Sequence, residues 1–226
     1  MQCIRIALTV VAVALACSPG APAQGMRSGP GRQPPHLMGE FKPVVGNGAQ
    51  YLMTSQNGNT HFSYVIVGKE DVGGSTGYWL EVRTQGAEIP GEMVMKQLMV
   101  MSGDKPEIKR MIMQRPGRPP TEFPLGMMPG LAQQGAEAGD TSPGVKLGSE
   151  TIVVPAGAFA CDHYRKQETR GAVDIWISSS VSPYGTVKMS RGDVSLVLEK
   201  VLTHEVSHIH GEPQPMNFPN MPRPQP

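Results

Sequence analysis

Cysteine is scarce in this sequence, with three residues among 226. Cys3 and Cys17 lie near the start of the chain, which leaves Cys161 alone in the remainder. Because one thiol cannot form a disulfide within the chain, the class of small, disulfide-stabilised secreted domains is excluded. We interpret Cys161 as a buried small apolar side chain.

An excess of charge of either sign is also absent. The chain has 20 lysine and arginine residues against 19 aspartate and glutamate residues, and its formal net charge is +1. Charges of one sign do not gather in blocks along the sequence. Since a nucleic-acid-binding protein presents a basic face to phosphate groups, this balance argues against nucleic acid as a partner.

A long apolar run is missing as well. The longest, Ile6 to Ala16, has about 11 residues, whereas a membrane-spanning helix needs about 20. It follows Arg5 and precedes Ala21-Pro22-Ala23, which is the order of charge, apolar core and cleavage site in a secretory signal peptide. We therefore predict a signal peptide at residues 1–23, a mature chain without a transmembrane span, and a periplasmic or secreted location.

A second processing site overlaps this signal. Ala14-Leu15-Ala16-Cys17 resembles a lipobox, the motif in which a cysteine receives a lipid anchor. The motif usually has leucine where this chain has Ala14. We therefore favour cleavage after Ala23 over lipid anchoring at Cys17, and keep the anchored form as the alternative.

Composition divides the mature chain into one domain and three irregular stretches. Residues 24–43 and 212–226 are rich in proline or glycine and poor in apolar residues, which predicts a disordered leader and a disordered tail. Residues 115–148 form an irregular insertion rich in proline, glycine and methionine. The sequence thus predicts a single β-rich domain at residues 44–211 that contains this insertion.

Short β-rich segments separated by turn residues fill this domain. Asn57-Gly58 predicts a hairpin between Tyr51–Thr54 and His61–Val67, because both turn residues tolerate positive φ. Met93–Met101 fits either a buried strand or a short helix. Further strands are predicted at Tyr78–Thr84, Ile108–Gln114, Ser149–Val154, Phe159–Lys166, Val173–Ser178, Thr186–Met189 and Val194–His210. The fold class is mainly β, or α+β with little helix, built on an antiparallel sheet or partial barrel.

The second half of the chain carries a family resemblance. Its segments are Val154-Pro155-Ala156-Gly157-Ala158-Phe159, then Cys161 and His163-Tyr164-Arg165, then Val173 to Ser178, and Val181 to Lys188. This pattern resembles uncharacterised exported bacterial domains that are grouped with the Lol-type (LolA-like) lipoprotein carriers. The resemblance implies a strongly curved antiparallel sheet, or half-barrel, around an apolar cavity that helices plug. It also implies a binding or carrier role rather than catalysis, by analogy of fold.

One motif points to a different function. His204-Glu205-Val206-Ser207-His208 is an H-E-x-x-H string, which on a helix places two zinc ligands on one face with a glutamate beside them. The third ligand is missing: the metzincin pattern would place it at position 214, which is Gln214, and the gluzincin pattern takes a glutamate from a later helix, for which 15 mostly tail-like residues follow Gly211. On a strand, His204, His208 and His210 would instead share one face. A zinc-dependent hydrolase is therefore kept as an alternative to the non-enzymatic reading.

Methionine is concentrated in one region. Its members are Met93, Met95, Met99, Met101, Met111, Met113, Met127 and Met128. The two-residue spacings would place Met93 with Met95, Met99 with Met101, and Met111 with Met113 on one face of a strand. Flexible, polarizable thioethers suit a core or the lining of an apolar groove. They are also ligands for Cu(I), so a copper-handling periplasmic protein is a further alternative.

The sequence therefore favours a non-enzymatic envelope protein that binds an apolar ligand, such as a lipid or acyl chain, or a lipoprotein or other envelope partner in the concavity of its sheet. No side chain is assigned to a catalytic, cofactor-binding or metal-binding role, and no cofactor is expected.

Overall fold

The structure is a computed structural model that describes residues 34–86, 89–103, 105–125, 142–169 and 171–216. The predicted signal peptide, the lipobox at Cys17, and Met127 and Met128 lie outside the described residues. In the described part of the chain, no helix is long and apolar enough to cross a membrane.

In the part of the chain that the structure describes, twelve strands form one curved sheet, which confirms the mainly β prediction. They are β1 Gly48–Ser55, β2 Gly58–Val72, β3 Ser75–Gly86, β4 Ile89–Ser102, β5 Lys105–Gln114, β6 Thr121–Phe123, β7 Val145–Val154, β8 Gly157–Glu168, β9 Gly171–Ile177, β10 Thr186–Arg191, β11 Val194–Leu202 and β12 Gln214–Pro215. The spatial order is β12-β6-β5-β4-β3-β2-β1-β11-β10-β9-β8-β7. All pairings are antiparallel except that of β12 with β6, which is parallel.

The turns follow from local chemistry. The predicted hairpin joins β1 to β2, with Ser55 paired to Gly58 and a positive φ of 99° at Gly58. The ambiguous segment Met93–Met101 lies in strand β4, between β3 and β5. Near the middle of the sheet, β1 pairs with β11, from Gly48 with Leu202 to Thr54 with Ser195. This pairing joins the strands of the first half of the chain to those of the second half in one sheet.

The main core lies on one face of the sheet, which we call the inner face. Tyr51, Phe62 and Leu198 are completely or almost completely buried there, beside Leu80 and Val82 of β3. The Tyr51 hydroxyl donates to the Thr186 carbonyl oxygen at 2.8 Å, and burial raises the pKa of Tyr51 far above its ordinary value. Aromatic rings and aliphatic side chains from β1, β2, β3 and β11 thus fill the centre of the curved sheet.

Part of the predicted leader packs against this core. Leu37 and Met38 are 2% and 4% exposed, and both pack against buried side chains of the inner face. The Thr186 hydroxyl donates to the Met38 carbonyl oxygen at 2.9 Å, and the Lys42 N–H donates to the Pro183 carbonyl oxygen at 2.7 Å. Residues 34–43 of the predicted leader thus contact the domain, with Leu37 and Met38 buried and Phe41 partly buried against the main core. We call this segment the inner segment.

The first residues of the predicted tail also contact the sheet. The Gln214 N–H donates to the Pro120 carbonyl oxygen at 2.9 Å, and Met216 donates to Glu122 at 3.0 Å. These bonds attach residues 214–216 to β6, so the structured part of the chain extends past residue 212. The predicted insertion at 115–148 likewise contributes β6 and the start of β7 to the sheet.

Candidate functional site

The H-E-x-x-H string lies on an extended segment and not on a helix. Strand β11 ends at Leu202, and residues 203–213 then cross the outer face of the sheet as an irregular strap, which we call the C-terminal strap. His204 has a φ of +58°, a left-handed conformation that interrupts a regular strand. The prediction that the last strand runs to His210 is therefore wrong, and the helix that the zinc alternative requires is not formed.

The glutamate of the string forms part of a buried ionic network. Arg83, which is 6% exposed, donates from Nε to Glu81 Oε1 at 2.9 Å and from Nη1 to Glu205 Oε2 at 2.7 Å. Its Nη2 donates to the Val206 carbonyl oxygen at 2.7 Å. Because Glu205 is held by a guanidinium group, its carboxylate serves to anchor the strap to β3.

The neighbouring residues of the strap complete this network. The Ser207 hydroxyl donates to Glu81 Oε2 at 2.5 Å, and the His208 backbone N–H donates to Glu81 Oε1 at 3.0 Å. The His208 ring nitrogen Nδ1 lies 2.7 Å from Glu92 Oε2 of β4. Glu81, which is completely buried, therefore has a hydrogen-bond partner for each oxygen atom.

Apolar packing holds the far end of the strap. Ile209 packs against a small outer-face cluster of Trp79, Leu98 and Ile112. The His210 N–H donates to Gln114 Oε1 at 2.9 Å. Among the described residues, no group of three histidine, cysteine, aspartate or glutamate side chains is arranged to hold a metal ion. The contacts of this segment are thus structural, and we call the network of Glu81, Arg83, Glu205, Ser207 and His208 the clasp.

Six methionines share the inner face of β4 and β5. The register pairs Val82 with Met95 and Tyr78 with Met99, and Met95 in turn pairs with Met113. The six, which we call the methionine face, are Met93, Met95, Met99, Met101, Met111 and Met113. Met99 and Met111 are buried, and the other four are partly exposed. The predicted pairing of these side chains on one face is therefore present in the structure.

The surroundings of the methionine face are apolar. Met95 and Ile108 pack against the main core at its edge, and Tyr78 meets the ring of Phe41 edge-on at a centroid distance of 6.3 Å. Gln97 lies in the same row, and its amide donates to the Met95 sulfur atom at 3.6 Å. The face is thus a flexible apolar surface that continues the core toward the β6 flank of the sheet.

A cleft of about 700 Å³ opens at the opposite flank, between the inner segment and the β7–β8 hairpin. Its floor contains Cys161, Val181 and Tyr184, all buried. Burial, with the nearby carboxylates Glu150 and Asp162, raises the pKa of the Cys161 thiol to about 11. This thiol is therefore neutral at physiological pH and contributes apolar surface, as the sequence predicted.

The rim of the cleft is charged. Three carboxylates and one ammonium group line it: Glu40, Glu150, Asp162 and Lys42. Lys42 pairs with Glu40 at 2.8 Å, and Lys146 pairs with Asp162 at 2.8 Å from just outside the lining. Glu150 accepts a hydrogen bond from Trp176 Nε1 at 2.6 Å. Three carboxylates against these two lysines leave the rim with an excess of one negative charge.

Sequence reasoning missed both the strap and the cleft. The sequence feature that could have indicated the strap is the pair Glu81 and Arg83. These are two charged residues within a strand that is buried on both faces, so they need partners from another segment. The cleft had no signal in the sequence, because its walls come from residues within 39–42, 143–151, 160–164 and 177–185, which only the fold brings together.

Comparison with known proteins adds two weak structural similarities. One is to a Bacteroides fragilis protein assigned as exported, with a YmcC-like fold, at 12% identity and a TM-score of 0.34. The other is to a Parabacteroides distasonis protein assigned as a lipoprotein, at 13% identity and a TM-score of 0.37. Each match covers 73% of this chain and 99% of the other. Both similarities are too low to assign this chain to a family or a function.

No protein-family model matches the sequence, and no curated protein matches it. Neither of the two solved structures is described as a Lol-type carrier. The grouping with these carriers therefore stays a prediction from the residues of the second half.

Proposed function

We propose that this chain is a non-enzymatic, exported envelope protein that binds an apolar ligand on the methionine face. The observation that carries the proposal is the placement of six methionines on one inner face, four of which stay partly exposed. An unbranched thioether side chain adapts to ligands of different shape, which suits an acyl chain or an apolar segment of a partner. The predicted signal peptide supports the envelope location.

Contact area sets the scale of the expected affinity. Apolar surface contributes about 25 cal/mol for each Å² removed from water. If Met95 and Met113 each contribute roughly 50 Å² of contact, the pair supplies roughly 2.5 kcal/mol, or a factor of about 70 in the dissociation constant. Part of this energy offsets the ordering of ligand and side chains. We therefore expect the loss of both thioethers to weaken binding by about tenfold or more.

The test uses residues 24–226 and the apolar fluorophore N-phenyl-1-naphthylamine, whose emission rises when it leaves water. We expect saturable binding that a long-chain fatty acid displaces. The double variant Met95→Gln/Met113→Gln should bind the fluorophore at least about tenfold more weakly. Met189→Gln is the matched control, because Met189 is a half-buried methionine on β10 that lies outside the methionine face.

Equal affinity in the double variant and in the native protein would overturn the proposed site. Absence of any saturable binding by the native protein would overturn the proposed function itself. Circular dichroism of each variant establishes that the sheet is intact before the comparison is made.

The two alternatives differ in what they need from the chain. A zinc hydrolase would need Glu205 free to polarise water, whereas Glu205 is bonded to Arg83. For a Cu(I) site, Met99 and Met111 are buried and Met95 and Met113 are the paired, partly exposed thioethers, so this alternative is tested by Cu(I) competition against those two residues. The structure supplies a specific observation for the apolar-ligand proposal, and we therefore carry neither alternative further as a function.

A further inference from the structure

The two edges of the sheet are built differently. One edge is β12, a two-residue strand that follows Pro213 and ends at Pro215, which has no N–H to donate. The other edge is β7, which has ten residues, eight of them exposed. Natural proteins protect sheet edges by short strands and proline, as at β12. Among the described residues no strand pairs with β7 on the side that faces away from β8, so a long row of backbone donors and acceptors lies along that side.

The sequence of β7 favours pairing with another strand. It contains no proline, and β-branched residues occupy Thr151, Ile152, Val153 and Val154. Val153 is 80% exposed. A register shift against β8 between Lys146 and Gly148 interrupts the first part of the strand, which leaves residues 148–154 as the regular stretch. An added strand would therefore pair with these seven residues.

This stretch is also a wall of the cleft. Ser149, Glu150 and Thr151 line the cleft, and the apolar floor at Cys161, Val181 and Tyr184 lies beyond them. In strand addition, backbone hydrogen bonds supply affinity and pockets for alternate side chains supply specificity. The β7 edge offers the backbone hydrogen bonds, and the cleft offers a pocket for a side chain.

Charge selects among possible occupants. Two copies of β7 paired antiparallel about Glu150 would place two carboxylates directly opposite each other, which is unfavourable. Paired about Thr151, they would place Glu150 opposite Ile152, so that neither carboxylate gains a basic partner beyond the His163 ring that already lies 3.4 Å from it. A lysine or arginine opposite Glu150 would instead complement the negative excess of the rim. A basic, β-branched partner segment therefore fits this edge better than a second copy does.

We propose that the edge of β7 accepts an extended polypeptide segment that alternates apolar and basic residues as a thirteenth strand, with one apolar side chain in the cleft. This site lies at the flank of the sheet opposite the methionine face. It therefore goes beyond the proposed function, and the two can fail separately.

The test measures fluorescence anisotropy of a labelled eight-residue peptide of alternating valine and lysine, blocked at both termini. Two further peptides carry N-methyl groups on the odd or on the even residues. In an added strand, alternate N–H groups face the neighbour, so we expect one methylated peptide to bind about as well as the parent and the other to bind about tenfold or more weakly. Equal weakening of both, or of neither, would overturn strand addition.

Variants of the protein test the cleft and its charge. Ala160 lines the cleft and Ala158, two residues away on the same strand, does not, and both are exposed. Ala160→Trp should weaken the parent peptide by about tenfold, and Ala158→Trp should leave it unchanged. Glu150→Lys should reverse the preference from the valine–lysine to a valine–glutamate peptide. An unchanged preference would refute the role of charge in the proposal.

Sedimentation equilibrium of the native protein without peptide tests whether a second copy of the chain occupies the β7 edge. We expect a monomer. A dimer that Val153→Lys converts to a monomer would show that a second copy occupies the β7 edge, and would overturn the choice of a basic segment.

Discussion

The ionic clasp between β3 and the C-terminal strap makes the sharpest prediction. Arg83→Met keeps most of the side-chain volume and removes the guanidinium group. Glu81 is then left buried with the Ser207 and His208 donors only, and Glu205 loses its partner. Removal of one partner of a buried ion pair costs about 3–5 kcal/mol, because a charge stays in the interior without compensation.

The magnitude follows from burial. Glu81 and Arg83 are 0% and 6% exposed, so solvent screens their pair little. We expect Arg83→Met to lower the free energy of unfolding by about 3 kcal/mol or more. For a domain of this size each kcal/mol shifts the melting temperature by about 2–4 °C, so the midpoint should fall by at least about 6 °C. Urea denaturation followed by tryptophan emission gives the free energy directly.

A matched control separates burial from charge. Arg165 on β8 makes a comparable paired contact with Asp174, at 2.9 and 3.1 Å, but the Arg165 side chain is 52% exposed. Because exposed pairs contribute about 0–1 kcal/mol, Arg165→Met should change stability little. A stability loss in Arg83→Met no larger than that of the control would refute the reasoning.

The double variant Glu81→Leu/Arg83→Met adds a second check. It removes both buried charges, so it should recover part of the stability that Arg83→Met loses. Full recovery is not expected, since Ser207 and the His208 N–H lose their acceptor. A double variant less stable than Arg83→Met would show that the residues do not act as a pair.

Four further predictions follow from other parts of the molecule. Glu205→Gln should lower the free energy of unfolding by about 1–2 kcal/mol, seen in urea denaturation, whereas an unchanged stability would return Glu205 to the zinc alternative. Gly39→Ala should lower the free energy of unfolding by about 1–3 kcal/mol. Gly39 has a φ of +131°, and a Cβ there would lie 2.1 Å from the Tyr184 carbonyl oxygen. A melting temperature equal to that of the native protein would contradict the placement of the inner segment. The Cys161 thiol should react slowly with a disulfide reagent at pH 8 in the native protein and rapidly in urea, and fast labelling of the native protein would contradict its burial. Because the pKa of this thiol is raised in the folded protein, the free energy of unfolding should fall as the pH rises from about 9 to about 11. Competition with a Cu(I) chelator should show no uptake that depends on Met95 and Met113, and a loss of uptake in Met95→Leu/Met113→Leu would revive the copper alternative.

Much of the sheet was predictable because its signals are local. Asn57-Gly58 defines a hairpin by its own backbone preferences, and the alternation around Tyr78 defines a strand by its side-chain period. The shared face of the methionines also follows from spacing alone, since residues two apart in a strand point the same way.

The clasp and the cleft were not predictable because they depend on distant residues. Glu205 and Arg83 are separated by 122 positions, and the string around Glu205 fits a helix by its letters. What decides its conformation is the buried Glu81 on β3, which takes hydrogen bonds from Ser207 and His208. The inner segment was misjudged for a similar reason: its composition is that of a disordered stretch, but Leu37 and Met38 meet a ready-made apolar surface.

The clasp has a consequence for the order in which the chain matures. Glu81 and Arg83 are made early in synthesis, but their partners Glu205, Ser207 and His208 emerge only near the end. Until then the Glu81–Arg83 pair on β3 lacks Glu205, Ser207 and His208, the partners that complete its burial, so this part of the outer face stays open to water. A chain translocated N-terminus first and unfolded would thus stay loose, and suited to threading, until its last segment is delivered. For an exported chain of the kind proposed above, the clasp would make completion of the fold depend on delivery of its last segment.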